Sequence, residues 1–131
     1  MVRRPERVAE LVREEVLQIV GYELDDPRLS MVTVTDVRMS DNLRDARVYV
    51  TVAGTEDETT AALAALRHAA PYVRRQLSLA LNLHHAPEIH FVRDTVEEQA
   101  ARVDDLLAQI SQRAAQPSAP EADETEERGE V

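Results

Sequence analysis

Apolar residues in this chain keep two different periods in successive stretches, and that switching restricts the fold more than any single motif. From Pro5 to Val20, the residues Val8, Leu11, Val12, Val16 and Ile19 recur at three- and four-residue spacing and share one helical face. Pro5 suits the first helical turn and Gly21 its end. Glu15 falls inside that stripe, where a core-edge pairing with an Arg is expected. Asp25-Asp26-Pro27 then breaks the chain, because Pro pushes its predecessor out of helical dihedrals. Further on, Ala46, Val48, Val50 and Val52 alternate with Arg47, Tyr49 and Thr51, the pattern of a half-buried strand. Residues 31–39 have strand composition too, yet Val32 and Val34 have one parity and Val37 and Met39 the other. A bulge near Thr35-Asp36 reconciles them. Ser40-Asp41-Asn42 supplies a turn, so the two strands form a hairpin.

After Gly54, Thr55 and Glu58 have the spacing of a capping box, which opens a helix with Thr59, Ala62, Leu63, Leu66 and Ala70 on its apolar side. Pro71 removes an N–H and crowds the preceding turn, so the helix is expected to kink or restart there. Beyond it Val73, Leu77, Ala80 and Leu81 turn inward, while Arg74, Arg75, Ser78 and Asn82 share the polar arc. Pro87 ends the connection to a third strand over Ile89-His90-Phe91-Val92-Arg93. Thr95 and Glu98 then open a last amphipathic helix bearing Val96, Val103, Leu106, Leu107 and Ile110. The predicted order is α-β-β-α-kink-α-β plus a C-terminal helix, an α+β fold with a three-stranded sheet. Its core is aliphatic, since apolar residues make up 44% of the chain but aromatic ones only 3%. One domain over residues 1–113 fits this pattern. Residues 114–131 hold Pro117, Pro120, Gly129 and six acidic residues with little to bury, and are expected to form a disordered acidic tail.

The chemistry available is limited. No Cys is present, which excludes disulfides, thiolate nucleophiles and Cys-based zinc sites. The four His include adjacent His84 and His85, but no pair has metal-ligand spacing, so neither a metal nor another cofactor is expected. The three glycines, Gly21, Gly54 and Gly129, cannot build a phosphate cradle, and no nucleophile elbow or dinucleotide fingerprint appears. Catalysis and a small-molecule substrate are therefore not expected. The apolar runs are far shorter than the roughly 20 residues a bilayer requires, so a soluble, cytoplasmic protein without a membrane partner is expected.

The formal net charge of −10 argues against a polyanionic partner until its distribution is considered. Residues 1–94 carry 12 Arg against 15 acids, whereas residues 95–131 carry 3 Arg against 10 acids. Most of the acidity is C-terminal. Arg3, Arg4, Arg7 and Arg13 cluster near the start, and Arg67, Arg74, Arg75 and Arg93 form a second group. If these two groups meet, they make a cationic face that can bind phosphates whatever the net charge. Scattered Arg on a solvated helix face is the alternative.

The order αββααβ is that of type II KH modules, which bind single-stranded nucleic acid, although the G-x-x-G loop is missing. Six segments occur in a telling sequence: Arg4-Pro5-Glu6-Arg7-Val8-Ala9, Asp26-Pro27-Arg28-Leu29, Val34-Thr35-Asp36-Val37, Asn42 to Val50, Val73-Arg74-Arg75-Gln76-Leu77 and Ala86-Pro87-Glu88-Ile89-His90-Phe91. From about Arg4 to Ile110 the chain thereby resembles the bacterial ribosome-binding factor A family. The resemblance implies a KH-like fold whose phosphate loop is replaced by an Ala-x-Gly kink, matched here by Ala69, Ala70 and Pro71. It also implies a factor without catalysis of its own that binds the immature 30S ribosomal subunit and 16S rRNA, and a monomer is expected. Such a factor assists late maturation, including 5′-end processing of 16S rRNA. The candidate RNA-binding residues are Arg3, Arg4, Arg7, Arg74, Arg75, Ser78, Asn82, His84 and His85. The family tends to carry a basic residue ahead of its third strand, where this chain has Asn82, His84 and His85, so weaker or pH-dependent RNA affinity is expected there. Two readings compete with this one: a protein–protein adaptor with no RNA partner, and a small hydrolase using His84 or His85.

Overall fold

The computed structural model describes residues 4–115; Arg3 and residues 116–131 of the expected tail lie outside the described residues. Helix α1 (Arg4–Gln18) begins with Pro5 and the acidic Glu6 in its first turn, where the helix dipole favours negative charge. It buries Val12 and Val16. Gly21 does not stop the chain as expected. Instead Ile19–Glu23 form a wider turn in which Leu24 N–H donates to the Ile19 carbonyl at 2.9 Å, because this keeps Ile19 and Val20 buried. Glu15 is partly buried but forms no ion pair among the described residues, so the predicted arginine partner is absent. The Asp26 carboxylate then accepts from Arg28 N–H at 2.9 Å and opens a single 3-10 turn over Pro27–Leu29, which buries Leu29.

Strands β1 (Val32–Met39) and β2 (Asp45–Val52) pair antiparallel, and β3 (Glu88–Arg93) adds parallel to β2, giving the order β1-β2-β3. The register slips between Val34 and Asp36, leaving Thr35 unpaired. This is the bulge that the parity clash predicts: Val34 opposite Val50 and Val37 opposite Val48 now both face the core.

Helix α2 (Glu56–Leu81) is one 26-residue element with Pro71 inside it, so of the kink or restart expected there the restart does not occur. The energetics explain why. An interior Pro is about 3 kcal/mol less favourable than Ala. Leu63 and Leu66 before it and Val73 and Leu77 after it are buried in one core, each contributing roughly 1.5–3 kcal/mol. Burial on both sides outweighs the lost hydrogen bond. At the N-terminus Thr55 Oγ1 accepts from Glu58 N–H at 3.1 Å, and Glu58 Oε1 accepts from Thr55 N–H at 2.8 Å, the predicted capping box. Gly54 makes room for that carboxylate, since a Cβ there would lie 2.6 Å from Glu58 Oε1. Asn82, at φ 52°, caps the other end by donating its N–H to the Ser78 carbonyl.

Helices α1 and α2 cover one face of the sheet, with α1 over β1 and α2 over β3. The core between them holds Val12, Val16, Ile19, Val48, Val50, Leu66, Val73, Leu77 and Phe91, aliphatic but for one ring. This architecture occupies the first of two compact units, residues 1–94. In the second, α3 (Val96–Ala115) starts where Thr95 Oγ1 accepts from Glu98 N–H at 3.1 Å, and it carries the expected apolar stripe through Val103, Leu106, Leu107 and Ile110. No helix among the described residues is long and apolar enough to cross a membrane.

Candidate nucleic-acid interface

The second half of α2 runs beside β3 and leaves an open groove of about 650 Å³. Arg67, Ala70, Pro71, Arg74, Arg75 and Ser78 line it from the helix, and Ala86, Glu88 and Ile89 from the strand and its lead-in. The helical repeat explains the set: positions 67, 70, 71, 74, 75 and 78 are three or four apart and so share one face. That face lies beside the buried stripe of Val73 and Leu77 and is held against the sheet edge by it.

The arginines of this region divide into two kinds. Arg74 donates from Nε and Nη2 to the Ala86 carbonyl at 3.2 and 3.1 Å, and its Nη1 lies 3.0 Å from Glu88 Oε2. It fastens the lip of the groove and offsets the one carboxylate lining it. Arg93 makes a bidentate pair with Glu56 at 2.9 and 2.8 Å, which raises its pKa and holds the Glu56 carboxyl below the ordinary value. Arg67 and Arg75 have no carboxylate partner among the described residues. Arg67 Nη2 donates to the Phe91 carbonyl at 3.3 Å, and the Arg75 guanidinium lies 5.9 Å from the centre of the Tyr72 ring. Tyr72 in turn donates its hydroxyl to Glu23 Oε1 at 3.1 Å, which pushes the phenol pKa up. Two guanidinium groups therefore face the groove with their charge unneutralised.

Of the sequence candidates, Arg74, Arg75 and Ser78 come together here. Ala70 and Pro71 of the kink triplet line the wall, and Ala69 precedes them on α2. His84 and His85 are exposed in the segment between α2 and β3, their ring centroids 4.5 Å apart in an edge-on arrangement. Asn82 serves the helix end. Arg4 and Arg7, on α1, do not line the groove. Arg67 is not among the RNA contacts expected from the sequence, although its seven-residue spacing from Arg74 marks it as sharing that face. Among the described residues no group of three or more His, Asp or Glu side chains is arranged to hold a metal ion.

The family profile described as Ribosome-binding factor A matches residues 4–107, which takes in α1, the whole sheet, α2 and the groove. The chain belongs to the ribosome-binding factor A family. Curated members agree: the ribosome-binding factor A of Solibacter usitatus is 46% identical over 105 residues, 80% of this chain and 85% of the relative. That of Thermomicrobium roseum is 46% identical over 109 residues, covering 83% and 84%. The crystal structure of ribosome-binding factor A from Thermus thermophilus superposes with a TM-score of 0.61 at 25% identity, over 68% of this chain and 93% of that one. A homology model of the Thermus thermophilus factor, fitted into a cryo-EM map of a 30S complex, gives 0.56 at 29% identity, over 69% and 93%. The fold is accordingly α+β and KH-like, as in those ribosome-binding factor A structures.

Proposed function

We propose that this chain is a cytoplasmic ribosome assembly factor that binds the immature 30S subunit as a monomer, contacts 16S rRNA and assists late maturation, including 5′-end processing, without catalysis of its own. Family membership and the Thermus thermophilus relative fitted into a 30S map support the partner. The observation that carries the mode of binding is the pair Arg67 and Arg75, cations without carboxylate partners among the described residues, on an open groove whose own carboxylate is tied to Arg74. Guanidinium groups bind phosphate through directed paired hydrogen bonds, and release of condensed counterions supplies affinity without reading sequence. Arg75, Arg67 and Ser78 take the phosphates in this reading, while Arg74 keeps the lip in place. His84 and His85 add charge when protonated, and Arg4 and Arg7 offer a separate contact from α1.

The test is co-sedimentation of the full chain with purified free small subunits on sucrose gradients at rising salt. The wild type should migrate with the subunits at low salt and dissociate as salt increases, and Arg75→Glu should dissociate earlier. A wild-type protein found only in the soluble fraction under gentle ionic conditions overturns the function. Association that withstands RNase and is indifferent to Arg75→Glu points instead to a protein–protein adaptor.

A further inference from the structure

The groove has a neighbour at its Glu88 end. The hairpin connection between β1 and β2 is a closely bonded loop: Leu43 N–H donates to the Ser40 carbonyl at 2.9 Å, and Arg44 N–H to Asn42 Oδ1 at 3.0 Å and Ser40 Oγ at 3.2 Å. Its shape is unusual in one respect. Leu43 has φ 61°, a left-handed conformation that is unfavourable by roughly 1–2 kcal/mol for a residue with a Cβ and is ordinarily given to Gly or Asn. What that conformation determines is the direction of the next residue, Arg44.

Two further observations place Arg44. Its carbonyl accepts from Glu88 N–H at 2.8 Å, so its backbone already belongs to the β2–β3 ladder, directly beside the lip of the groove. It also lies two residues before Ala46, which faces the core, so strand parity puts its side chain on the helix-bearing face of the sheet. Arg44 is exposed and has no ion-pair partner among the described residues. The acidic residues next to it in the chain and in the ladder are otherwise engaged: Asp45 lies 2.9 Å from His90 Nε2, and Glu88 pairs with Arg74. Because α2 runs from Arg67 at Phe91 to Arg74 at Ala86, the groove's cations follow β3 toward its start, and Arg44 continues the line one strand further.

We infer that Arg44 is a further phosphate-binding residue, taking the backbone of a single RNA strand as it leaves the α2–β3 groove at the Glu88 end, and that the left-handed Leu43 aims it. This rests on the reading of the groove as the RNA site. Removing one phosphate contact lowers the dependence of log K on log salt by about 0.7–0.9 and weakens binding roughly four- to fivefold at 0.15 M salt.

The experiment measures binding of the full chain to free small subunits at several salt concentrations for the wild type, Arg44→Gln, Arg44→Lys and Arg75→Gln. The loop's hydrogen bonds to Arg44 are all made by its backbone, so the side-chain variants should keep the wild-type fold and circular dichroism. Arg44→Gln is expected to lose about 0.7–0.9 of salt slope and Arg44→Lys to regain it. If Arg75→Gln loses slope and Arg44→Gln does not, this assignment fails and the groove reading stands. Loss of affinity in Arg44→Gln with unchanged slope and no rescue by Lys also overturns it, as a purely structural effect. If no variant changes the slope, the groove itself is not the RNA site.

Discussion

Pro71 is the position at which stability and binding should move in opposite directions. It lies in the interior of the 26-residue α2 and is exposed, so replacing its ring removes little packing. Its missing N–H leaves the Arg67 carbonyl, one turn earlier, without its intrahelical donor. Relative to Ala in a helix interior, Pro is less favourable by about 3 kcal/mol and Gly by about 1 kcal/mol. Pro71→Ala should therefore stabilise by about 3 kcal/mol and Pro71→Gly by about 2 kcal/mol. At roughly 4–8 °C per kcal/mol for a domain of this size, that is about 12 °C or more in Tm for Ala and about 8 °C or more for Gly. Thermal melts followed by circular dichroism give the order Ala above Gly above wild type. The same change should weaken association with small subunits. Repairing the helix shifts the turn that carries Arg67, whose guanidinium reaches the Phe91 carbonyl at 3.3 Å, against the turn that carries Arg74 and Arg75. An Ala variant that melts at or below the wild-type temperature refutes the view that α2 carries this Pro at an energetic penalty.

Two further outcomes follow from the core and the loop. Leu77 is fully buried on the groove-bearing half of α2, so Leu77→Ala should lower stability by about 2–5 kcal/mol in urea denaturation, and a loss below about 1 kcal/mol would contradict its place in the core. Asp26 is held down to about 2, from an ordinary 3.8, first by the side-chain hydrogen bonds of Arg28 and then by that residue's backbone N–H. A folded-state pKa lowered in this way adds stability at pH values above the unfolded pKa, and that stability drains away as pH falls from about 4 to about 2. Asp26→Asn keeps a capping acceptor but not the charge. Its deficit against the wild type, read from urea midpoints, should close over that window, and a constant deficit would mean that the ion pair contributes nothing.

Much of the fold was legible because its signals are local. The parity clash between Val34 and Val37 lies within four residues and announced the bulge, and Thr55 with Glu58 announced the start of α2. Gly21 misled because a helix-stop residue was weighed without the burial of Ile19 and Val20 just before it, which only the assembled core supplies. The candidate site was half legible. Helical spacing grouped Arg74, Arg75 and Ser78, but which arginines of the region have a carboxylate against them depends on partners far along the chain: Glu88 for Arg74, and Glu56, 37 residues away, for Arg93. Arg4 and Arg7 do not join Arg74 and Arg75 in lining the groove, which spacing along the chain could not decide.

The apparent conflict between a net charge of −10 and an anionic partner dissolves once charge is counted over distance instead of over sequence. At physiological salt the field of an exposed charge decays over about 8 Å, so carboxylates beyond that range hardly reach the groove. Within its lining stand Arg67, Arg74 and Arg75 against Glu88 alone, and Glu88 is paired. Several other acids are occupied elsewhere: Glu56 with Arg93, Asp26 with Arg28 and Asp45 with His90. Carboxylates that pair locally lower the net charge of the molecule without lowering the potential where a phosphate would sit. Net charge follows the total, the potential at a groove follows the local excess, and the two can carry opposite signs in one small protein.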